Sequence, residues 1–393
     1  MIDFTIDEKI LARTIKLARE RKILIPTLKQ QIDPQSLPSG IMNGLADISL
    51  WDLHPLNLFR ITWHNEPRIR GGKFGPVNYL EFPSELTGVQ ARIAAPVGKW
   101  FPTGAHKVGA AFGCLVPRLV TGQFDPGSQR AVWPSTGNYC RGGVAVSRIL
   151  GVRGVAVLPE GMSKERFAWL EKWVEDKNDI IKTTGTESNV KEIYDACNEL
   201  AKDPNNEIIN QFSEYYNYAI HRAVTGPSLE RSFIKVKGDS NLKARFYVSA
   251  SGSSGTLAAG DYLKERLLSK IAVVEATECP TLLYGGYGEH NIQGIGDKHV
   301  PLIHNVMNTD FVVGVSDQAT NYLNLIFNTE IGQKYLIEKK GLEDKLVKSF
   351  PEFGFSSIAN ILASIKLAKY MNLGSEDAIL QLQLMERIYI QQN

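Results

Sequence analysis

One stretch decides the fold of this chain: FPTGAHKVG, residues 101–109, which holds Lys107 just after a Pro-Thr-Gly turn. Two further loops of small residues follow it, PSTGN at 134–138 and SASGSSGT at 249–256. A lysine forms Schiff bases when burial or a nearby cation removes the proton from its amine. Most of the 44 lysine and arginine side chains must be solvated, so Lys107 alone is weak evidence. The order of the three loops indicates a site that holds an aldehyde cofactor.

The overall composition limits the class of protein. A chain of 393 residues is longer than a single hydrophobic core usually supports. Its length therefore predicts two domains, or one large α/β unit split into lobes. Its 44 basic and 42 acidic side chains give a formal net charge of +2, and no basic stripe indicates a nucleic-acid surface. The four cysteines are widely spaced, without the pairing typical of a metal site. We therefore expect reduced thiols, no bound metal and no nucleic-acid partner.

The start of the chain and its apolar runs bear on where the protein works. The first residues include acids where a targeting segment would carry basic side chains. No apolar run approaches the ~20 residues that a membrane span needs. We expect a cytoplasmic protein with no membrane partner.

The hydrophobic pattern along the chain predicts a helix at 7–21 and then weak periodicity up to residue 88. From residue 91, apolar runs alternate with helical segments, as in a mainly parallel sheet covered on both faces. Strands are predicted at 91–97, 130–134, 154–159, 179–183, 207–212, 244–250 and 272–277. Helices are predicted at 107–121, 138–150, 163–175, 188–202, 217–235, 255–268, 317–328, 357–371 and 376–391. We expect Pro117 to distort the first of these helices.

The loop at 251–256 lies between a predicted strand and a predicted helix, where α/β proteins place ligand contacts. Its glycines allow a close backbone approach, its hydroxyls add donors, and the following helix points its positive end at an anion. It is neither a Walker A sequence nor a GxGxxG dinucleotide loop. The pattern is typical of a phosphate-binding loop, although an ordinary polar turn has the same composition.

The loop at 134–138 supplies Asn138, a neutral side chain that suits a phenolic oxygen or a carboxylate. Taken alone, the favoured interpretation is a helix cap made by Ser135, Thr136 or Asn138. His106 invites a general-acid interpretation, but packing or a role near the cofactor phosphate is favoured over it.

Together these loops resemble the fold-type II pyridoxal-phosphate enzymes, and most closely the cysteine synthase and cystathionine β-synthase superfamily. Further matching stretches are LPEGMSKER at 158–166, NQF at 210–212, VE at 274–275, HNIQGIG at 290–296 and GFSS at 354–357. The resemblance covers roughly residues 85 to 372. It implies an α/β fold with the two-lobed architecture of the tryptophan synthase β subunit, in which mainly parallel twisted sheets are flanked by helices.

The resemblance also implies a division of the chain and an assembly. A smaller, mobile substrate lobe is expected at 101–214, and a larger lobe that binds the cofactor phosphate is expected from 89–100 together with 215–393. Residues 1–88 form an N-terminal extension that we expect to pack on the body or on a partner subunit. A homodimer is expected.

Each matching position acquires a role from the resemblance. Lys107 is similar to the lysine that forms the Schiff base with pyridoxal 5'-phosphate, and Asn138 to the residue that hydrogen-bonds the ring oxygen. The phosphate loop is matched by Gly252, Ser253, Ser254, Gly255 and Thr256, and the substrate-binding positions by Ser135, Thr136, Gly137 and Gln211. Ser357 matches the serine at the pyridine nitrogen. Because a serine does not hold the pyridine protonated as an aspartate would, prompt loss of a β-leaving group is favoured over transamination.

The activity implied is β-elimination or β-replacement on an amino acid with a β-leaving group, through an aminoacrylate, with the freed Lys107 as general base. Tyr139 and Cys140 stand where a Thr-Gly pair is usual, so the substrate loop is expected to carry a bulkier wall. The stretch 213–217 replaces one rich in Asn and Pro and places an acid and two phenols near the expected cleft. These groups either select a larger or cationic substrate or a different nucleophile, or they lie on the surface. Glu214 is a candidate acid for a hydroxyl or amine leaving group.

Several alternatives stay open. Threonine or serine dehydratases, diaminopropionate ammonia-lyase and the tryptophan synthase β subunit share the fold and the lysine chemistry. A non-catalytic binding subunit of the same fold is a different class, and the intact Lys107, Asn138 and phosphate loop count against it. A nucleotide-dependent dehydrogenase lacks support because the GxGxxG spacing is missing.

Overall fold

The structure is a computed structural model, and it describes residues 4–66, 73–135, 137–185 and 190–383. The chain divides into two compact units. Unit 1 comprises the described parts of 1–76 and 100–221, and unit 2 those of 77–99 and 222–387. Within the described ranges, no helix is long and apolar enough to cross a membrane.

The helices and strands alternate for most of the chain. The helices are α1 Glu8–Glu20, α2 Leu28–Ile32, α3 Ser39–Gly44, α4 Ser84–Thr87, α5 Lys107–Thr121, α6 Asn138–Leu150, α7 Lys164–Trp173, α8 Val190–Leu200, α9 Tyr215–Ile220, α10 Gly226–Lys237, α11 Leu257–Leu267, α12 Thr281–Tyr284, α13 Asp317–Asn328, α14 Glu330–Glu338, α15 Asp344–Val347 and α16 Phe355–Tyr370. The strands are β1 Tyr79–Phe82, β2 Arg92–Pro96, β3 Arg130–Pro134, β4 Arg153–Pro159, β5 Ile180–Thr183, β6 Asn206–Ile208, β7 Lys243–Ala250, β8 Lys270–Ala276, β9 Phe311–Val315 and β10 Asp377–Gln381.

Unit 1 contains a four-stranded parallel sheet in the order β5-β4-β3-β6. Its central strands are buried on both faces, which is why they read as continuous apolar runs rather than as alternating patterns. Val132, Val155 and Val157 pack with Ile193 and Cys197 of α8 to form the core on one face. The sheet places the carboxyl end of β3, and therefore the loop at 134–138, at one edge of the unit.

The N-terminal segment belongs to unit 1. Helix α1 begins after Asp7, whose carboxylate accepts hydrogen bonds from the backbone N–H groups of Lys9 and Ile10, each at 3.0 Å. The backbone N–H of Asp7 donates to the carbonyl of Thr121 at 2.9 Å, at the end of α5. The segment therefore packs on the body of its own chain.

Unit 2 contains a six-stranded sheet in the order β1-β2-β10-β7-β8-β9, parallel except for β1, which runs antiparallel to β2. An apolar cluster on the sheet includes Ile93, Val248, Val274 and Ile379 together with Ile358 of α16. In such a sheet the carboxyl ends of neighbouring parallel strands meet at one edge, and ligands bind there. The loop after β7 and the chain after β10 lie at that edge.

The pattern of the sequence predicts most of these elements. The helices at 107–121, 138–150 and 317–328 and the strand at 130–134 have the predicted bounds, and the mixed α/β class with parallel sheets is confirmed. Helix α5 continues through Pro117 to its end, so the expected distortion does not interrupt it. Strands β1 and β9 were not predicted.

The prediction of a helix at 376–391 is wrong for the residues that the structure describes. Asp377–Gln381 form β10, a strand that is paired with β2 on one side and with β7 on the other. A strand buried on both faces carries a short continuous apolar run, which periodicity alone does not distinguish from a buried helix. The remainder of that prediction, from residue 384, lies outside the described residues.

Candidate active site

The turn that precedes Lys107 is held in an unusual backbone conformation. Thr103 and Gly104 both have a φ of 73°, in the left-handed region. At Gly104 a Cβ would also lie 2.8 Å from the indole ring of Trp51, so only glycine fits there. A non-glycine residue such as Thr103 in this region costs about 1–3 kcal/mol, and such strain is concentrated at functional sites. The turn fixes the point at which α5, and with it Lys107, begins.

Lys107 is the first residue of α5, and its side chain is partly buried. Its Nζ donates a hydrogen bond to Oε1 of Gln211 at 2.9 Å. Burial lowers the pKa of the Lys107 amine to about 8, and the nearby Cys114 opposes this effect. With that pKa, roughly a tenth of the amine is neutral at pH 7, far more than for a solvated lysine. The structure thus makes Lys107 a competent nucleophile.

Two buried imidazoles lie near Lys107. The ring centroids of His106 and His221 are 5.6 Å apart, and the ring of Trp63 stacks on His106. Burial lowers the pKa of His106 well below its usual range and that of His221 to about 3. Both rings are therefore neutral at physiological pH and add no positive charge beside the amine. His221 begins a short π-helical turn, His221–Thr225, a feature often found at functional sites.

A close helix crossing brings the loop at 134–138 to the start of α5. A Cβ at Gly142 of α6 would lie 2.9 Å from the backbone nitrogen of Val108 and 3.0 Å from the carbonyl oxygen of Lys107. Only glycine at this position lets the first turns of α5 and α6 lie in contact. Asn138, one turn before Gly142 on α6, is thereby brought to the same end of unit 1 as Lys107.

Arg141 fixes the orientation of Asn138. Its Nη1 donates to Oδ1 of Asn138 at 3.3 Å, and its Nη2 donates to the carbonyl oxygen of Thr103 at 3.0 Å. A guanidinium can only donate, so the side-chain oxygen of Asn138 faces Arg141 and its amide nitrogen lies on the other side of the amide group. A donor at this position suits the phenolic oxygen expected there from the sequence.

The substrate-loop residues that the structure describes are Ser135 and Gly137. The Ser135 backbone N–H donates to the carbonyl oxygen of Val157 at 3.1 Å, and the Ser135 hydroxyl oxygen accepts from the N–H of Gly137 at 3.1 Å. A Cβ at Gly137 would lie 3.3 Å from Cζ of Arg166. Thr136, the third substrate-binding residue of the prediction, lies outside the described residues.

The structure gives Glu214 and Tyr139 roles that the sequence left open. Both carboxylate oxygens of Glu214 accept hydrogen bonds from Arg118, at 2.9 and 3.0 Å. Burial raises the pKa of Glu214, and Arg118 opposes that effect. Tyr139 is 1 % exposed, donates to the carbonyl of Ile209 at 3.3 Å and packs against the edge of Trp133. Tyr139 is therefore a core residue of unit 1 rather than a wall or a surface position.

Unit 2 supplies the phosphate-loop candidates, between β7 and α11. The hydroxyls of Ser251 and Ser254 are 3.0 Å apart, and Ser254 has a left-handed φ of 64°. A Cβ at Gly252 would lie 2.7 Å from the carbonyl oxygen of Gly294, so the two backbone segments meet directly. The side chains of Ser253, Ser254 and Thr256 are buried at the start of α11. Buried hydroxyls before an 11-residue helix suit an anion, because the helix dipole adds positive potential.

Ser357 lies in the first turn of α16 and is fully buried. One turn later, Nδ2 of Asn360 donates to the carbonyl of Leu382, just beyond β10. Gln383 is also fully buried, and neither atom of its side-chain amide has a hydrogen-bond partner among the described residues. Unsatisfied buried amide atoms at this edge of the sheet fit a polar ligand. The role of Ser357 at the pyridine nitrogen stays a prediction.

The predicted residues are thus found in both units. Unit 1 holds Lys107, Asn138, Ser135, Gly137 and Gln211, of which Lys107 and Gln211 are in direct contact, and unit 2 holds the loop at 252–256 and Ser357. Sequence reasoning missed Arg141 and His221. A basic residue in the first turn of a buried helix was the available signal for Arg141, whereas nothing in the sequence marked His221. Within the described ranges, no group of three or more His, Cys, Asp or Glu side chains is placed to hold a metal.

Comparison with known proteins gives one consistent family. The model of the family described as Pyridoxal-phosphate dependent enzyme matches residues 99–320. Cysteine synthase B of Campylobacter jejuni is 31 % identical over 223 residues, which cover 56 % of this chain and 64 % of that protein. A probable cysteine synthase of Bacillus subtilis is 30 % identical over 219 residues, or 55 % of this chain and 68 % of that protein. The chain therefore spans about two thirds of the length of these relatives.

Solved structures show the same fold. An O-acetylserine-dependent cystathionine β-synthase of Helicobacter pylori has a TM-score of 0.64 at 21 % identity, covering 80 % of this chain and 96 % of that chain. A hydrogen sulfide-producing enzyme of Fusobacterium nucleatum has a TM-score of 0.62 at 24 % identity, covering 77 % and 83 %. At these identities the likeness concerns the fold alone.

Proposed function

The chain belongs to the family of pyridoxal-phosphate dependent enzymes, and from that membership we propose that it catalyses β-replacement or β-elimination on an amino acid with a β-leaving group. The match to cysteine synthases supports this reaction class. The observation that carries the proposal is the partly buried Lys107 amine, hydrogen-bonded to Gln211 and with a pKa lowered to about 8.

The residues at both parts of the site fit pyridoxal phosphate. When bound, the cofactor supplies an aldehyde that condenses with amines and a conjugated ring that stabilises negative charge at Cα. In unit 1, Lys107 would supply the amine and Asn138 an N–H donor for the phenolic oxygen. In unit 2, the loop at 252–256 would hold the phosphate, and Ser357 would lie at the pyridine nitrogen. The left-handed turn at Thr103 and Gly104 and the close approach at Gly252 support these roles.

Lys107 also moves the proton. Lys107 would take the α-proton of the bound substrate as general base, because its pKa lies close to neutral pH. Gln211 holds Nζ in place without adding charge. His106 and His221 stay neutral, so they do not repel the protonated amine that results. The Ser135 hydroxyl would donate to the α-carboxylate.

The state of Glu214 bears on the leaving group. A hydroxyl or amine must be protonated as it departs, and Glu214 was the candidate acid. Both of its carboxylate oxygens accept hydrogen bonds from the Nη atoms of Arg118, so the group is held in an ion pair within unit 1 rather than directed at a leaving group. A leaving group that departs as a stable anion needs no such acid. This favours amino acids with an ester at Cβ as substrates. It disfavours serine and threonine, which would lose a hydroxyl, and diaminopropionate, which would lose ammonia.

We further propose that the active protein is a cytoplasmic homodimer. The four free cysteines are all buried, as is usual in a reducing compartment. Leu302 and Met307 of unit 2 are 86 % and 96 % exposed, and large apolar side chains of this kind support a subunit contact. Light scattering coupled to size-exclusion chromatography gives the mass of the assembly, and a monomer at micromolar concentration would contradict the dimer.

A panel of amino acids tests the reaction class. Holoenzyme is mixed separately with O-acetyl-L-serine, L-serine, L-threonine and 2,3-diaminopropionate, while the visible spectrum of the cofactor and the release of keto acid or ammonia are followed. We expect only the ester to change the spectrum rapidly. Added sulfide should then restore the original spectrum as the species formed from the ester is converted to a new amino acid. Rapid ammonia release from diaminopropionate or threonine, with no response to the ester, would favour the lyase alternative.

A further inference from the structure

The segment at 51–65 precedes the part of the chain that the family model matches, which begins at residue 99. It belongs to unit 1, as do Lys107 and the six residues before it, 101–106, which are called the lysine turn below. The segment is not a solvated arm, because its apolar side chains are almost fully buried. These are Leu58, Phe59, Ile61 and Trp63. Much of what they pack against is the lysine turn and the start of α5.

The indole of Trp63 contacts both ends of the lysine turn. Its ring meets that of Phe101 edge to face, with the centroids 5.1 Å apart. It also stacks on the ring of His106, at 6.1 Å between centroids and 25° between planes. Nδ2 of Asn65, two residues later, donates a hydrogen bond to the carbonyl of Trp100, just before the turn. The segment therefore holds the turn where it begins and where it ends.

Two more side chains of the segment meet glycines in and after the turn. A Cβ at Gly104 would lie 2.8 Å from the indole ring of Trp51, so the ring rests directly on the backbone there. A Cβ at Gly109, in the first turn of α5, would lie 3.5 Å from Cγ2 of Ile61. The contacts thus recur along the whole stretch from residue 100 to residue 109.

The backbone of the lysine turn needs such support. Thr103 and Gly104 are both left-handed, and a backbone of this kind persists only where the surrounding structure over-determines it. The side chain of His106, which precedes α5, makes no capping hydrogen bond within the described part of the chain. Packing against the 51–65 segment, rather than a side-chain cap, therefore fixes the start of α5.

Resting on the proposed function, we propose that Trp51 and Trp63 are positioning residues for the Lys107 amine, which makes the N-terminal segment a part of the active site. Trp51 holds the middle of the lysine turn, and Trp63 holds the imidazole of His106. The rings of Trp63 and His106 are 4 % and 5 % exposed, so together they exclude water from this side of the helix start. The burial that lowers the pKa of Lys107 to about 8 supports this assignment.

Titration of the amine by chemical labelling tests the proposal without turnover. Full-length protein freed of cofactor is labelled with an amine reagent between about pH 6 and pH 10, and peptide mass gives the extent at Lys107. The ionisable side chains beside it do not interfere in this range. Burial keeps His106 and His221 neutral and raises the pKa of the Cys114 thiol to about 12. The midpoint of the profile therefore reports the pKa of Lys107.

Variants of Trp63 separate the flat ring from its apolar bulk. We expect a wild-type midpoint near pH 8 and a rise of about one unit in Trp63→Leu, because water then reaches the amine. Trp63→Phe keeps an aromatic face for His106 and should restore most of the wild-type value. In the holoenzyme, kcat of Trp63→Leu should fall by about 10- to 100-fold with little change in KM, as expected for a misplaced catalytic group.

Trp173→Leu is the matched control. Trp173 is a buried tryptophan of the same unit, and it stacks on Trp169 of α7 with the centroids 4.7 Å apart. Its loss should lower stability and leave the midpoint of Lys107 unchanged. If Trp63→Leu does not fold, Trp51→Ala decides, because Trp51 is only partly buried and its removal disturbs the core less. Its midpoint should also rise.

The outcomes separate this inference from the proposed function. A wild-type midpoint in folded Trp63→Leu and Trp51→Ala overturns the positioning role, and so does an equal rise in Trp173→Leu, which would indicate general loosening. Because the labelling needs no cofactor, these results stand whatever the reaction is. Failure of the wild type to show a cofactor absorbance band after incubation with pyridoxal phosphate overturns the proposed function instead.

Discussion

Nζ of Lys107, at the start of α5, donates a hydrogen bond to Oε1 of Gln211, which follows β6, at 2.9 Å. This hydrogen bond connects the proposed nucleophile, Lys107, with a proposed substrate-binding residue, Gln211. Because the partner of the amine is an uncharged amide, the protonated form of Lys107 gains little, and burial keeps its pKa at about 8.

Gln211→Glu therefore changes the pH dependence. A carboxylate in contact with Nζ favours the protonated amine and raises the pKa of Lys107 by about 1–3 units. Reactions that need the neutral amine increase as the pH rises through that pKa, so the rising limb moves to higher pH. The profile of kcat/KM and the labelling of Lys107 by an amine reagent measure the shift. The neutral variant Gln211→Met serves as control, and a profile of Gln211→Glu identical to that of the wild type would argue against the contact.

Gly142→Ala disturbs the crossing of α5 and α6. Its Cβ would lie 2.9 Å from the backbone nitrogen of Val108, and backbone atoms do not yield easily. We expect a loss of about 1–3 kcal/mol in the free energy of unfolding, together with weaker cofactor retention, because Asn138 moves away from Lys107. Urea titration and cofactor absorbance measure the two effects. Gly40→Ala, in a helix and with no atom within 4 Å, is the control that should not lose stability.

Gly252→Ala acts on the phosphate loop. The added Cβ would lie 2.7 Å from the carbonyl of Gly294, so the loop must shift. We expect the dissociation constant for pyridoxal phosphate to rise by at least about tenfold, the equivalent of 1.4 kcal/mol. Fluorescence titration of the apoenzyme measures it. Gly374→Ala, with nothing within 4 Å, should bind normally, and normal binding by Gly252→Ala as well would remove this loop from the phosphate site.

Ser357→Asp alters the electronic character of the cofactor. A carboxylate at the pyridine nitrogen holds its proton and strengthens the ring as an electron sink, so transamination should increase relative to β-elimination. Formation of pyridoxamine phosphate during turnover, quantified by chromatography, reports the ratio. Ser357→Ala, which removes the hydroxyl without adding charge, should not raise it. An unchanged product ratio in Ser357→Asp would count against the placement of Ser357.

The sequence predicted the elements that carry the site better than the contacts within it. The bounds of α5 and α6 were predicted correctly, because each helix has a strong apolar periodicity that begins after a loop of small residues. The assignment at 377–381 failed because pairing on both sides, rather than local pattern, makes that segment a strand. Arg141 escaped notice because its burial and neutral partners exist only once α6 lies against the turn at Thr103. Likewise, Glu214 looked available as an acid until Arg118, distant in sequence, was seen to hold it.

The central claim is that Lys107 holds the cofactor, and its most direct test is covalent. Holoenzyme is treated with borohydride, digested and analysed by peptide mass, beside Lys107→Ala and the exposed-lysine control Lys172→Ala. We expect one peptide, containing residue 107, to carry the reduced cofactor in the wild type and in Lys172→Ala, and no peptide to be labelled in Lys107→Ala. Cofactor attached at another lysine, or none attached after incubation with pyridoxal phosphate, would contradict it.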